Sequence, residues 1–313
     1  MTSILVANRD ARYFKEKLAA VFPDVEVLAA TSKDEARSKA SGIDVLAGLP
    51  SFFDDELIAS ASRLKWIQVF TAGVDQILAF KAVKPDHVIT SVRGIHGPQM
   101  AEMAMMLMLA LARDLPRMLR NQQQGQWQRF PQHRLSGKTV VLLGMGASGM
   151  ELAVRCKALG MVVVGVSRTD RPVPGVDRIL ARAELLAAAA LADYLVVLAP
   201  YESSTHGLVN KAVLDAMKPS AFLINIARGA VCDEPALIDA LRVRRIAGAA
   251  LDVFHGEPLS SSSPLWGMDN VIVTPHQAGE CDVYNDLILE VFNYNVGCFL
   301  EGRLSDMKNP VRR

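Results

Sequence analysis

The sequence has little cysteine: four residues in 313, at Cys156, Cys232, Cys281 and Cys298. They are dispersed, with none of the close spacings that hold a metal. Free thiols in a reducing cytosol are therefore expected, and no metal site is. Charge of one sign is not in excess either. With 34 Lys and Arg against 33 Asp and Glu, the net charge is +1. No broad field then favours nucleic acid or a membrane surface. The basic clusters at 242–245 and at Arg312 and Arg313 are short and read as solvated surface. No apolar run reaches the roughly 18 residues of a membrane span. The N-terminal MTSILVANRD meets Arg9 and Asp10 too soon for a signal peptide, so a cytoplasmic location is expected. Internal repeats and low-complexity tails are missing as well.

Half of the residues are apolar and 21% are charged, an ordinary balance for an α/β chain. The length suits about two domains. Short apolar strand candidates at 4–7, 25–28, 45–47, 66–69 and 88–90 alternate with charged helical stretches. Such alternation predicts an α/β fold of parallel sheets, doubly wound, in two domains with a cleft between them. Residues 100–113 read as an apolar, methionine-rich helix, too short to span a membrane and suited to burial between domains. Residues 121–135 are glutamine-rich, polar and interrupted by Pro131.

The run TVVLL at 139–143 has the pattern of a buried parallel strand, and GMGASG follows it at 144–149. Gly144 permits the tight turn, Gly146 lets backbone approach a pyrophosphate, and Gly149 lets the next helix pack close to the sheet. The helix start would turn its N–H groups and positive dipole end toward phosphates. That helix is expected to run to about Leu159, ended by Gly160, with the next strand at 161–166. Glycines alone could serve packing; with strand, helix and second strand in place they point to a dinucleotide site. NAD sites place an acid about 20 residues past the loop, on the ribose 2′-hydroxyl. Here Ser167, Arg168 and Thr169 stand at the strand end, and the nearest acid is Asp170. A guanidinium between hydroxyls suits a 2′-phosphate, so NADPH is expected over NADH. The plain alternative is that Arg168 is a solvated loop residue.

Three residues late in the chain suit hydride transfer to an acid: Arg228 in NIARG, Glu257 in GEP and His276 in TPH. Arg228 ends an apolar strand at 221–226, and ligands of open α/β sheets bind beyond the carboxyl ends of strands. Histidine is the natural proton donor to a carbonyl near neutral pH. A carboxylate on its far nitrogen would fix the tautomer and favour the imidazolium. Glu257 lies on a different loop, so this pair can form only through the fold.

From Gly144 to Gly279 the chain resembles the D-isomer-specific 2-hydroxyacid dehydrogenases. The pieces that carry the resemblance are GMGASG, LAPYESSTHGLVN (198–210), MKPSAFLINIARGAVCDEPAL (217–237), GAALDVFHGEP (248–258), SPLW (263–266) and NVIVTPHQAG (270–279). Before Lys65 only the strand–helix rhythm matches. The resemblance implies a Rossmann cofactor domain at 100–281 and a flavodoxin-like substrate domain from 1–99 and 282–313. The helix at 100–113 would be the crossover, and a second connecting helix after Cys281 the return. It implies that Arg228 binds the substrate's carboxylate and carbonyl oxygen, that His276 is the acid/base with Glu257 as partner, and that Asp252 lies near the nicotinamide carboxamide. Further cofactor contacts are implied at Gly144, Met145, Gly146, Ala147, Ser148 and Gly149, and at Ser167, Arg168 and Thr169. Leu198, Ala199, Pro200, Thr205, Ile226, Ala227 and Gly279 complete that set. Residues 121–135 resemble the extended arm that packs on a second subunit, which implies a homodimer. Ser167–Arg168–Thr169 and GPQMAEMA (97–104) look most like the NADPH-dependent glyoxylate/hydroxypyruvate reductases.

In the small domain, TAGVD at 71–75 follows a strand and opens a helix. Backbone N–H groups at Ala72, Gly73 and Val74 would hold a substrate carboxylate, and the family's AGVD match supports this. Gly48 and Leu49 would form a pocket wall. Related reductases can carry bulkier aromatic residues near Gly48, so a substrate larger than glyoxylate is allowed. Arg93 and His96 stand near a hinge, where solvation is expected. Trp127 on the arm and Trp266 after Pro264 are aromatic candidates near the cleft mouth, and packing is expected for both. The expected function is NADPH-dependent reduction of a short 2-keto acid, such as glyoxylate or hydroxypyruvate, to the D-2-hydroxy acid. Alternatives are an NAD-dependent D-2-hydroxyacid or 3-phosphoglycerate dehydrogenase, for which no substrate-phosphate cluster is seen, and a non-catalytic dinucleotide-sensing scaffold, which has no need of an acid–histidine pair.

Overall fold

The computed structural model describes residues 1–169 and 171–311, so Asp170 and the basic pair Arg312 and Arg313 lie outside the described residues. The chain forms two compact units, Met1–Ile95 with Cys281–Arg313, and His96–Glu280. The first unit opens with β1 (Ser3–Ala7), α1 (Ala11–Val21), β2 (Glu26–Ala30), α2 (Lys33–Ser38), β3 (Val45–Gly48), α3 (Asp55–Ser60), β4 (Trp66–Val69), α4 (Asp75–Ala79) and β5 (Val88–Thr90). The second runs α5 (Gly97–Ala112), α6 (Leu115–Gln123), β6 (Thr139–Leu143), α7 (Ala147–Ala158), β7 (Val162–Ser167), β8 (Arg178–Ala181), α8 (Leu185–Leu191), β9 (Tyr194–Val197), α9 (Lys211–Ala216), β10 (Phe222–Asn225), α10 (Glu234–Arg242), β11 (Gly248–Leu251) and β12 (Val271–Val273). The chain then returns to the first unit through α11 (Tyr284–Leu300).

Among the described residues the first unit holds a parallel sheet in the order β2-β1-β3-β4-β5, the flavodoxin-like order. Its return helix is stitched in by buried polar groups. Gln68 on β4 accepts from Asn295 of α11 at 2.9 Å and from Thr90 on β5 at 2.8 Å, and Thr90 accepts from the Trp66 indole at 2.8 Å. All three polar side chains are buried, so each bond is worth more than its counterpart in water.

The second unit holds a parallel sheet in the order β12-β11-β10-β9-β6-β7-β8, a Rossmann arrangement that reverses direction at β6. The period of β6 shows why helices cover both faces. Val140 and Leu142 join a core with Ala104, Met108, Leu152 and Cys156 of α5 and α7. Val141 and Leu143 point the other way, onto Leu185, Val213 and Leu237 of α8, α9 and α10. Alternate residues of one strand thus feed two cores. The helix expected from residue 100 begins at Gly97, because Pro98 in the first turn loses no helical hydrogen bond. Among the described residues no helix is long and apolar enough to cross a membrane.

Two expectations need correction. Residues 121–135 are not extended throughout: Asn121 to Gln123 complete α6, which is helical because Pro116 starts it and Gly125, at φ 64°, releases the chain only afterwards. Trp127 does not pack within this chain, since it follows that glycine with no element beneath it and is 97% exposed. Trp266 is also largely exposed, with its indole N–H donated to the Ser260 carbonyl at 2.9 Å.

Gly48 ends β3 with φ 148°, and a Cβ there would stand 1.9 Å from the Ala7 carbonyl oxygen of β1. Backbone approach between adjacent strands therefore excludes any side chain at this position, whatever the substrate. Gly48→Ala is expected to lower stability by about 2 kcal/mol or more, through overpacking and backbone strain. A denaturant midpoint equal to wild type would show that the β1–β3 contact yields freely.

Candidate active site

Arg228, Glu257 and His276 follow three consecutive neighbours of the second sheet, β10, β11 and β12, and all lie beyond the carboxyl edge. Each is set by its own loop. After β10, the buried Asn225 accepts the Ala227 N–H at 3.1 Å and donates to the Arg228 carbonyl at 3.1 Å, closing a tight turn that turns Arg228 outward. Gly229 then lets this loop touch the next one: a Cβ would stand 2.0 Å from the Phe254 carbonyl carbon. After β11, Glu257 Oε1 accepts the Phe254 N–H at 3.0 Å, which orients the other oxygen toward His276. His276 Nδ1 and Glu257 Oε2 are 2.6 Å apart. With Glu257 as the acceptor, Nδ1 carries its proton inward and Nε2 faces away from the pair.

The His276 loop is held by Asp252, which has no exposed surface. Asp252 Oδ1 accepts the Thr274 hydroxyl at 2.6 Å and the Gln277 N–H at 3.1 Å, and Oδ2 accepts the Ala278 N–H at 2.9 Å. The Asp252 carbonyl also accepts the His276 N–H at 2.8 Å. His276 itself sits in the left-handed region, φ 50°. Such a conformation persists only where its surroundings over-determine it, and the Asp252 bonds do so on both sides.

The charges form one cluster. Burial pushes the Glu257 carboxyl up, but the His276 bond, the Phe254 N–H and the Arg228 charge together hold it below its ordinary value. His96 is brought to the same place, and this corrects the expectation of a solvated hinge residue. Burial pushes its imidazole down to about 4, and the Arg228 charge adds to that. Near neutral pH it is uncharged beside the guanidinium. Gly279 makes room for it, since a Cβ would stand 3.1 Å from the His96 ring.

The glycine loop lies on the same edge, where the strand order reverses. Gly144 has φ 114°, and its Cβ would stand 2.8 Å from the Ala199 nitrogen. A Cβ on Gly149 would stand 2.2 Å from the Gly144 carbonyl oxygen, so the helix can start here only because residue 149 lacks one. Gly146, by contrast, has open space within 4 Å. That is room for a pyrophosphate over the start of α7, whose first N–H groups lack helical acceptors. Met145, Ala199 and Ile226 turn their side chains into the cores, so they can meet a cofactor only through backbone. The buried Thr205 hydroxyl donates to the Pro200 carbonyl at 2.8 Å and accepts the Glu202 N–H at 2.9 Å, so it serves its own loop. Ser167, Arg168 and Thr169 cap β7, with the Thr169 N–H on the Ser167 hydroxyl at 3.2 Å. The expected substrate residues of the first unit share one edge of its sheet: Gly48 ends β3 with Leu49 just after it, and Ala72, Gly73 and Val74 follow β4. Asn225 and the clamping role of Asp252 were not anticipated; the DVF and NIARG runs mark their places, but the bonds they make are non-local.

A recess of about 500 Å³ in the second unit lies at the opposite edge, lined in part by Arg117, Arg120, Phe222 and Asn270, and contains none of these residues. Among the described residues no group of three His, Cys, Asp or Glu is placed to hold a metal ion.

Residues 105–278 match the family described as D-isomer specific 2-hydroxyacid dehydrogenase, NAD binding domain. The chain is 36% identical over 262 residues to a D-3-phosphoglycerate dehydrogenase of Archaeoglobus fulgidus, covering 82% of this chain and 49% of that protein. It thus spans about half the length of that relative. It is 34% identical over 258 residues to a glyoxylate reductase of Thermococcus onnurineus, covering 78% of this chain and 76% of the relative. Among solved structures it resembles an NADPH-dependent glyoxylate/hydroxypyruvate reductase from Sinorhizobium meliloti in complex with NADP and sulfate, with TM-score 0.85, 28% identity, and 99% and 98% of the two chains covered.

Asp252→Ala leaves buried N–H and hydroxyl donors without an acceptor, at a cost of at least about 2 kcal/mol. Amide exchange at Gln277 and Ala278 should accelerate well beyond that of β6. Protection unchanged at both amides would mean that the carboxylate does not hold this loop.

Proposed function

The chain belongs to the D-isomer specific 2-hydroxyacid dehydrogenase family, and we propose that it catalyses NADPH-dependent reduction of a short 2-keto acid, of the glyoxylate or hydroxypyruvate type, to the D-2-hydroxy acid. The observation that carries this reading is the 2.6 Å bond between His276 and Glu257, formed within reach of the Arg228 charge. A scaffold that only sensed dinucleotides would have no use for it.

The residues divide the work as follows. Arg228 forks its guanidinium onto the substrate's carboxylate and carbonyl oxygen, which fixes the carbonyl carbon and withdraws charge from it. His276, protonated, gives the Nε2 proton to the carbonyl oxygen as negative charge develops there. Glu257 accepts from Nδ1 and so fixes which ring nitrogen is offered to the substrate. Gly146 and the start of α7 would hold the pyrophosphate, and Ser167, Arg168 and Thr169 would hold the 2′-phosphate. The chemistry a nicotinamide bound there would supply is the hydride. The NADP complex of the Sinorhizobium meliloti relative supports the choice of cofactor. Exposed apolar side chains at Met106, Leu109, Leu115, Leu119 and Trp127 support a homodimer formed on α5, α6 and the arm.

Turnover with NADPH and a panel of 2-keto acids tests the reading. His276→Ala should lose at least about 100-fold in kcat, the usual worth of a general acid, while NADPH affinity holds. A variant within a few-fold of wild type would remove His276 from the mechanism.

The pH profile tests the dyad. The His276 bond, the Phe254 N–H and the Arg228 charge hold the Glu257 carboxyl below its ordinary value. Glu257→Gln takes the titrating carboxylate away from His276 Nδ1, so the acid limb of kcat/KM that reports its protonation should be lost. On the acid side, wild-type Glu257 stays ionised to below the ordinary carboxylate range of about 4.3, so the pair survives to that pH. A profile unchanged by Glu257→Gln would mean that the bond does not form in solution.

A further inference from the structure

The guanidinium proposed to receive the 2′-phosphate is already engaged by an acid of this chain. Arg168 Nη1 lies 3.3 Å from Glu202 Oε1 and 3.4 Å from Oε2. Arg168 follows β7, whereas Glu202 follows β9, and β6 runs between those two strands. The ion pair therefore closes over the end of β6, where the glycine loop begins. Glu202 is presented there by a built turn. Its N–H is held by the buried Thr205 hydroxyl, which is itself anchored on the Pro200 carbonyl, and the next residues form a 3-10 turn, Ser203–Thr205.

We propose that Glu202 is a specificity-determining residue: its carboxylate competes with the cofactor's 2′-phosphate for Arg168 and lowers the preference for NADPH, so that NADH is also accepted. A carboxylate and a phosphate use the same fork of guanidinium donors. A phosphate that takes the fork displaces Glu202 and then sits beside a like charge. NADH brings no phosphate, so the pair stays closed. Both side chains are partly exposed, Arg168 at 65% and Glu202 at 36%. Water screens such pairs, so the effect tunes a ratio and does not block NADPH. Ser167 and Thr169 add neutral donors on the Arg168 side, which keeps some preference for the phosphate.

The inference rests on the 2′-phosphate reading above, and binding without turnover separates the two. Adenosine 2′,5′-bisphosphate and ADP are titrated by calorimetry into wild type, Glu202→Gln, Arg168→Ala and the double variant. The ratio of bisphosphate to ADP affinity should rise by about 2- to 5-fold in Glu202→Gln, the range of an exposed ion pair. In the Arg168→Ala background the same change should raise the ratio less than in wild type, because the competition for the guanidinium is gone and only the like-charge effect is left. The kcat/KM ratio for NADPH over NADH should rise with the binding ratio. If Arg168→Ala weakens the bisphosphate but Glu202→Gln does not tighten it, Glu202 is no competitor and the cofactor reading stands. If Arg168→Ala leaves the bisphosphate unaffected, the 2′-phosphate reading falls and the inference with it.

Discussion

A carboxylate is costly to bury unless its lone pairs find donors. Asp252 is fully buried at the end of β11, and it finds them all in one short stretch, the Thr274 hydroxyl and the Gln277 and Ala278 N–H groups. The direction of causation matters. The loop after β12 has no regular structure to hold it, and His276 in its middle adopts a left-handed conformation that ordinary propensity disfavours. The Asp252 bonds decide the matter. Once they form, Nδ1 of His276 meets Glu257 and the opposite nitrogen is presented outward. The placement of the His276–Glu257 pair thus depends on an acid that bonds neither ring nitrogen.

The same logic extends to the neighbouring strand. Asn225, at the end of β10, folds the Arg228 turn onto itself, and Gly229 lets that turn press against Phe254. Phe254 in turn fixes Glu257 through its N–H. Three adjacent parallel strands therefore hold three loops in fixed register, and each loop carries one member of the trio. Parallel pairing makes this possible because every strand ends on the same edge.

Much of this was legible in the chain. The β-branched run before GMGASG fixed one strand, one helix and the expected switch point, because glycines at those spacings answer to local backbone geometry. NIARG, GEP and TPH marked the trio because their residue types fit one chemistry together. Other features depend on contacts far apart in sequence and could not be seen. Strand β11 reads GAAL, with weak strand propensity; it is a strand because β10 and β12 pair with it on both sides, and Gly248 is small because Asn270 approaches it. His96 looked like a hinge residue until the fold placed it beside Arg228. Gly48 invited a reading in terms of substrate size, although the Ala7 carbonyl had already excluded a side chain there.

Three acids near this edge are each committed within the chain. Asp252 is spent on backbone N–H groups and a hydroxyl, Glu257 on His276 and the Phe254 N–H, and Glu202 on Arg168. The cations differ. Arg228 bonds its own Ala227 carbonyl and stands beside His96, which is uncharged near neutral pH. Arg168 is paired directly with Glu202, and the Arg228 charge acts on Glu257. On the reading proposed above, the guanidinium offered to a 2′-phosphate is contested by Glu202, and the cofactor ratio follows how readily that exposed ion pair opens.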